Sequence, residues 1–184
     1  MKYELIEKEI KYEGHQLSPH WIYKNFKIQG DAIVAFVGEC EVKLTEMVDI
    51  EDVINNEPIY SKNMLSFITE QFNVDLVEGV FRQRLLICII KEALEKRGIK
   101  VERSGDDLFV NDKKLTVSIA TKSLTSILIH TGINIDSTGA PVRACGLEND
   151  LSITDVKSFA QEIMKNYTNE LEDIILASTK VRGV

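Results

Sequence analysis

The chain has no stretch approaching the roughly 20 consecutive apolar residues that a membrane-spanning helix requires. Its first residues, Met1-Lys2-Tyr3-Glu4-Leu5-Ile6-Glu7-Lys8, lack the apolar core of a secretory signal. Both absences point to a cytoplasmic protein with no membrane partner. Clustered positive charge is missing too: 22 Lys and Arg stand against 29 Asp and Glu, a net charge of −7, and the cations are scattered. Sequence-independent phosphate binding needs a basic footprint, so nucleic acid is not an expected partner. Cysteine is scarce, with only Cys40, Cys88 and Cys145 and no CxxC or CxH spacing. That excludes a disulfide framework and a structural zinc site, and leaves three reduced thiols. No internal repeat, low-complexity tract or linker interrupts the chain.

What remains is 184 residues of which 44% are hydrophobic, enough for one sizeable core and a single domain over residues 1–184. Residues 2–12 read as a half-exposed strand ended by Gly14. Ser18-Pro19 reads as an N-cap followed by proline at the first helical position, opening a short helix to Phe26. After the Gly30-Asp31 turn, residues 32–37 form a buried strand, followed by a long acidic connection. Met64, Leu65, Ile68 and Phe72 recur at helical spacing, predicting a helix over 63–72 after the Pro58 break. A stronger helix follows over 75–96, its apolar face comprising Leu76, Val80, Leu85, Ile87, Ile89, Ile90 and Leu94, with Gly98 just past its end. The period then turns strand-like at 99–102, 108–110, 115–121 and 124–135, an antiparallel meander punctuated by Ser104-Gly105, Asn111-Asp112 and Lys122-Ser123. A last helix, opened by Ser152 or Thr154, runs to about Ala177.

Chemistry concentrates in the meander. Strict alternation over residues 114–121 sends Leu115, Val117 and Ile119 to one face, under the helices, and Lys114, Thr116, Ser118 and Ala120 to the other. The next strand places Ser126, His130, Gly132 and Asn134 opposite Ile127, Ile129 and Ile133. Paired, the two strands put His130 and Asn134 on the face of Lys114; a slip of one residue would exchange the faces. The acidic run Asp49, Glu51 and Asp52 could hold Mg²⁺, but a solvated loop is the stronger reading. His15 and His20 match no helical ligand pair, so no metal site is expected.

The run Gly105-Asp106-Asp107-Leu108-Phe109-Val110-Asn111-Asp112-Lys113-Lys114-Leu115 is similar to the aspartate-to-lysine hairpin of biotin protein ligases, and Gly132-Ile133-Asn134-Ile135 resembles their Gly-Ile-Asn-Val strand. Ala144-Cys145-Gly146 falls where octanoyl (lipoyl) transferases carry a Pro-Cys-Gly motif with the acyl-accepting thiol. Over its full length the chain resembles an archaeal and anaerobe family defined only as domain of unknown function 366. The residues that carry this likeness include Met47-Val48-Asp49-Ile50-Glu51-Asp52, Lys114-Leu115-Thr116-Val117-Ser118-Ile119-Ala120-Thr121, Ile129-His130 and Lys180-Val181-Arg182. These resemblances imply an α+β fold of the class II aminoacyl-tRNA synthetase and biotin ligase kind: a mixed, mainly antiparallel central sheet with helices packed on one face. The glycine- and arginine-rich loop of those ligases is not found before Arg82, and with it goes their phosphate cradle. An adenylating ligase therefore ranks below a transferase or a binding protein.

The functional expectation is an acyl transferase acting on a lipoyl, octanoyl or related carboxylate-derived substrate, free or on an acyl carrier, with no cofactor. Lys114 would stabilise developing negative charge, Cys145 would accept the acyl group as thiolate, and His130 would move a proton. Asp107, Thr116, Ser118 and Asn134 would bind substrate. Each residue also has a plainer reading: an exposed hairpin lysine, a buried thiol, a packed strand histidine, a turn-forming aspartate. The alternative is a non-catalytic small-ligand or partner-binding domain. Self-pairing through a sheet edge into an oligomer stays open.

Overall fold

The computed structural model describes residues 1–183. Its centre is a five-stranded sheet in the order β1-β2-β3-β8-β7. Strand β1 (Lys2–Leu5) runs parallel to β2 (Ala32–Val42), and all other neighbours are antiparallel: β2 with β3 (Ile59–Phe72), β3 with β8 (Ser126–Asp136), and β8 with β7 (Thr116–Lys122). A small ribbon of β4 (Glu102–Ser104), β5 (Asp107–Val110) and β6 (Lys113–Lys114) leads into β7. Helices α3 (Leu76–Glu95) and α4 (Val156–Thr179) cover one face through Leu86, Ile87, Ile90, Phe159, Ile163 and Tyr167. The other face packs Tyr12, Phe36, Cys40 and Met64 against α1 (Trp21–Phe26) and is left partly open.

Residues 63–72 are strand, not helix. In β3, Leu65 and Phe67 face the α3–α4 core while Met64 and Ile68 face the opposite one. With both faces buried from Met64 to Gln71, the period-2 contrast between apolar and polar residues disappears. What survives is an accidental three-and-four spacing. The register to β2 and β8 carries ladder hydrogen bonds along the whole segment, which outweighs the local pattern.

The helix starts also differ. Ser18 caps nothing; α1 begins at Trp21 behind His20, which has a left-handed backbone and donates its N–H to Glu70. Asp75 caps α3 by accepting from Glu78 N–H at 2.8 Å, and Asp155, rather than Ser152 or Thr154, caps α4 by accepting from Ser158 N–H at 3.0 Å. The inner face of α3 is Gly79, Gln83, Leu86, Ile87, Ile90 and Leu94, whereas Leu76 and Val80 are exposed. Gly79 sets this rotation: a Cβ there would lie 2.6 Å from Ile127 Cγ2, so the helix approaches the sheet on its bare side. Finally, the acidic connection contains a short helix α2 (Ile50–Asn55), capped by Asp49 through Glu51 N–H and Asp52 N–H. No helix of the described residues is long and apolar enough to cross a membrane.

Candidate functional site

The open face of the sheet holds a cavity of about 330 Å³, at the small end of the range typical of ligand pockets. Its floor is made by β3, β7 and β8, and its rim by α2 with the flanking residues 46–49 and 57–60 and by the loop after β8. Cross-strand pairs share a face, so the register Met64↔Asn134, Val117↔Gly132 and Ile119↔His130 puts these six residues on the floor together. Gly132 lets Met64 lie across it: a Cβ there would meet Met64 Sδ at 2.2 Å.

The chain breaks its alternation at Leu115. Leu115 is fully buried in the α3–α4 core, and so is the face of its neighbour Thr116, which pairs with Ile133. From that point the faces are exchanged relative to strict alternation. Val117 and Ile119 look into the cavity, and Thr116 and Ser118 look toward α3. The Thr116 hydroxyl accepts from Leu108 N–H at 2.9 Å and lines no part of the cavity. Ser118 reaches the cavity wall, but its Oγ donates to the His130 carbonyl at 3.1 Å, contacts Thr131 Oγ1 at 2.9 Å and accepts from Gln83 Nε2 at 3.1 Å. Both hydroxyls thus tie the sheet to its neighbours rather than facing an empty polar surface.

Lys114, His130 and Asn134 do line the cavity together. Lys114 Nζ sits 2.9 Å from the Asp107 carboxylate across the β5–β6 hairpin, both half-buried. Burial raises the Asp107 carboxyl above its usual value, and the Lys114 charge works against that rise. Asp106, beside it, accepts from Gln83 Nε2 at 2.8 Å and faces Arg84 at 3.3 Å.

His130 is not a base poised near neutrality. Its ring stacks on Tyr12 with centroids 3.7 Å apart, its Nε2 meets Ser66 Oγ at 3.4 Å, and burial pushes its pKa down from 6.5 to about 3. The imidazole is a neutral, packed element of the floor. Cys145 is not at the cavity either. Residues 143–145 run alongside Lys114, which donates its N–H to the Arg143 carbonyl and accepts from Cys145 N–H at 3.0 Å. Alternation along that segment turns Ala144 to the cavity and Cys145 to the core. The thiol is 1% exposed, its Sγ lies 3.6 Å from the Lys113 carbonyl, and burial pushes it up to about 11. A thiol held protonated in an apolar core is a poor nucleophile.

Sequence reasoning missed Tyr12 and the role of the acidic segment. Tyr12 lies outside any regular strand, tied by a single bridge to Cys40. Tyr12 and Asn134 are 3% and 7% exposed and line the cavity; among the described residues neither side chain has a hydrogen-bond partner, and their polar atoms, unlike the buried Thr69 Oγ1, stay open to solvent. The acidic run, read as a solvated loop, is folded over the cavity mouth. No group of three or more His, Cys, Asp or Glu among the described residues is arranged to hold a metal ion.

The five-stranded, mainly antiparallel sheet with two long helices on one face matches the fold of biotin and lipoate ligase-like proteins. A biotin protein ligase mutant from Aquifex aeolicus in complex with biotin superposes with a TM-score of 0.61 at 15% identity, covering 94% of this chain and 70% of that one. Protein Ta0514 from T. acidophilum with bound lipoic acid gives 0.60 at 12%, covering 94% and 86%. At such identities the likeness is one of fold. The chain belongs to the family described as Domain of unknown function (DUF366), whose model matches residues 1–182. A protein of unknown function from Pyrococcus horikoshi shares its structure with a TM-score of 0.91 and 41% identity over 99% of both chains. The uncharacterized protein MJ0805 of Methanocaldococcus jannaschii is 42% identical over 175 residues, 92% of this chain and 79% of the relative.

Proposed function

We propose that this protein is a small-molecule-binding domain, with its ligand seated in the open-face cavity and held by Asn134, Tyr12 and the Lys114–Asp107 pair. The observation that carries this reading is the pair of polar side chains, Tyr12 and Asn134, each more than nine-tenths buried, unpartnered and lining one hollow. With no partner in the protein, their polar atoms are left free to hydrogen-bond a molecule that enters the hollow. Proteins of the same fold hold biotin and lipoic acid, which supports a small organic ligand with an apolar body. The acyl-transfer version loses its nucleophile, because the Cys145 thiol faces the core. Lys114 and Asn134 keep a role as ligand contacts; Thr116 and Ser118 do not.

The test is thermal stabilisation by a panel comprising lipoic acid, biotin, octanoate, n-hexylamine and hexan-1-ol. At least one compound is expected to raise the melting temperature, with stabilisation of about 2.7 kcal/mol at a hundredfold excess over Kd. The effect should persist in Cys145→Ser and be lost in Asn134→Leu. A panel without any binder, or binding indifferent to Asn134→Leu, would remove this reading.

A further inference from the structure

The charge around the cavity selects among ligands. Seven carboxylates line it, and Lys114 is the one Lys or Arg among the described residues that does so. Lys114 is already neutralised by Asp107, and Asp106 by Arg84 from outside the cavity. The other five, Glu46, Asp49, Glu51, Asp52 and Glu57, have no salt-bridge partner among the described residues. They stand along the rim, on and around α2, while the floor beneath them is apolar or neutral: Met64, Val117, Ile119 and the Tyr12–His130 stack.

From this arrangement we infer that the cavity takes a protonated alkylamine, its ammonium group among the rim carboxylates and its apolar body on the floor, and excludes carboxylate and phosphate ligands. The inference rests on the small-molecule reading above and adds the ligand's charge. Two independent features meet in it. The unpaired carboxylates set the sign of the field, which low-dielectric walls focus into a cleft. Tyr12 and Asn134, both more than nine-tenths buried, line the hollow and have no hydrogen-bond partner among the described residues for their polar atoms, which marks the hollow as a place that holds a molecule rather than a gap under a solvated loop. Asp52 reports the strain: its carboxyl lies above its usual value because of burial and the charge of Asp49, with smaller contributions from Glu57 and Asp107, while Lys114 offsets them. A cation between these groups removes that repulsion. An anion would increase it, and the glycine- and arginine-rich segment that would offset an anion's charge is not found before Arg82. The cationic head could belong to a free amine or to a lysine side chain of another protein, since both present an ammonium on an apolar stem.

The experiment compares three six-carbon probes that differ only in charge, n-hexylamine, hexan-1-ol and hexanoate, by isothermal titration and by methyl NMR shifts of Met64 and Ile119. Nα-acetyl-lysine N-methylamide, run alongside, distinguishes a free amine from a lysine side chain as the source. Hexylamine is expected to bind at least about tenfold tighter than hexanoate at low salt, and to weaken as ionic strength rises. Asp52→Asn, at a partly buried position, and Glu57→Gln, at an exposed one, should each weaken hexylamine about twofold to fivefold and leave hexan-1-ol unchanged. Hexanoate or hexan-1-ol binding as tightly as the amine would overturn the charge assignment while leaving a small-molecule site standing. If none of the four probes shifts Met64 or Ile119, both the inference and the reading beneath it fail.

Discussion

Ala144 and Cys145 are neighbours in the chain and lie on opposite sides of the same wall. Ala144 faces the cavity; Cys145 faces Leu115, Ile133 and Phe159 in the core. The two surroundings make the thiol inert, and burial likewise pushes Cys40 up to about 12. In the native protein at pH 8, iodoacetamide is expected to modify the partly exposed Cys88 and to spare Cys40 and Cys145 until the chain is unfolded. Peptide mapping by mass spectrometry checks this, and rapid native alkylation of Cys145 would restore it as a candidate nucleophile. The separation of Lys114 from Asp107 along a hairpin is a local property, so turn chemistry and spacing could suggest their pairing, and the two lie 2.9 Å apart.

Among elements, β3 and α3 show how tertiary packing overrides local pattern. The polar residues of β3, among them Ser66, Thr69, Glu70 and Gln71, are buried like their apolar neighbours. Glu70 and Gln71 are bound into contacts, Ser126 Oγ–H to Glu70 and Gln71 Nε2–H to Tyr167 Oη, while the buried Thr69 hydroxyl has no partner among the described residues. No one-dimensional period distinguishes such a strand from an amphipathic helix. For α3 the existence and length were legible, from its long apolar content and its aspartate start, but its rotation was not, because it depends on Gly79 meeting Ile127 from β8. The cap is a local device and makes a local prediction. Asp75→Ala removes the acceptor for Glu78 N–H and is expected to lower stability by about 1 kcal/mol, read as a shift in the urea midpoint with an unchanged slope. No change in midpoint would mean that water replaces the cap without loss.

At the scale of the whole molecule, one buried imidazole links the open face to the acid stability of the fold. His130 sits neutral under Tyr12, and burial has pushed its pKa from 6.5 down to about 3. Above pH 6.5 neither the folded nor the unfolded chain protonates it, so it leaves stability untouched. As the pH falls from 6.5 toward 3, the unfolded chain binds a proton that the folded one refuses, and stability drops by up to about 1.4 kcal/mol per pH unit. Replacing His130 by Phe keeps a ring against Tyr12 and removes the titration. Denaturation midpoints of wild type are therefore expected to fall more steeply than those of His130→Phe between pH 6.5 and 4, and parallel slopes would show that the ring is not buried as described. The sequence by itself determined what depends on neighbours in the chain: the α+β composition, the two long helices, the meander, the Lys114 hairpin and the face shared by His130 and Asn134. Only the tertiary structure decided what depends on segments remote in sequence. The kink at Leu115 turned Thr116 and Ser118 toward α3, the run through residues 143–145 buried the thiol, and the sheet brought Tyr12 and the acidic rim over one hollow. A site assembled from segments remote in sequence leaves no periodic trace, because each contributing segment answers only to its own packing.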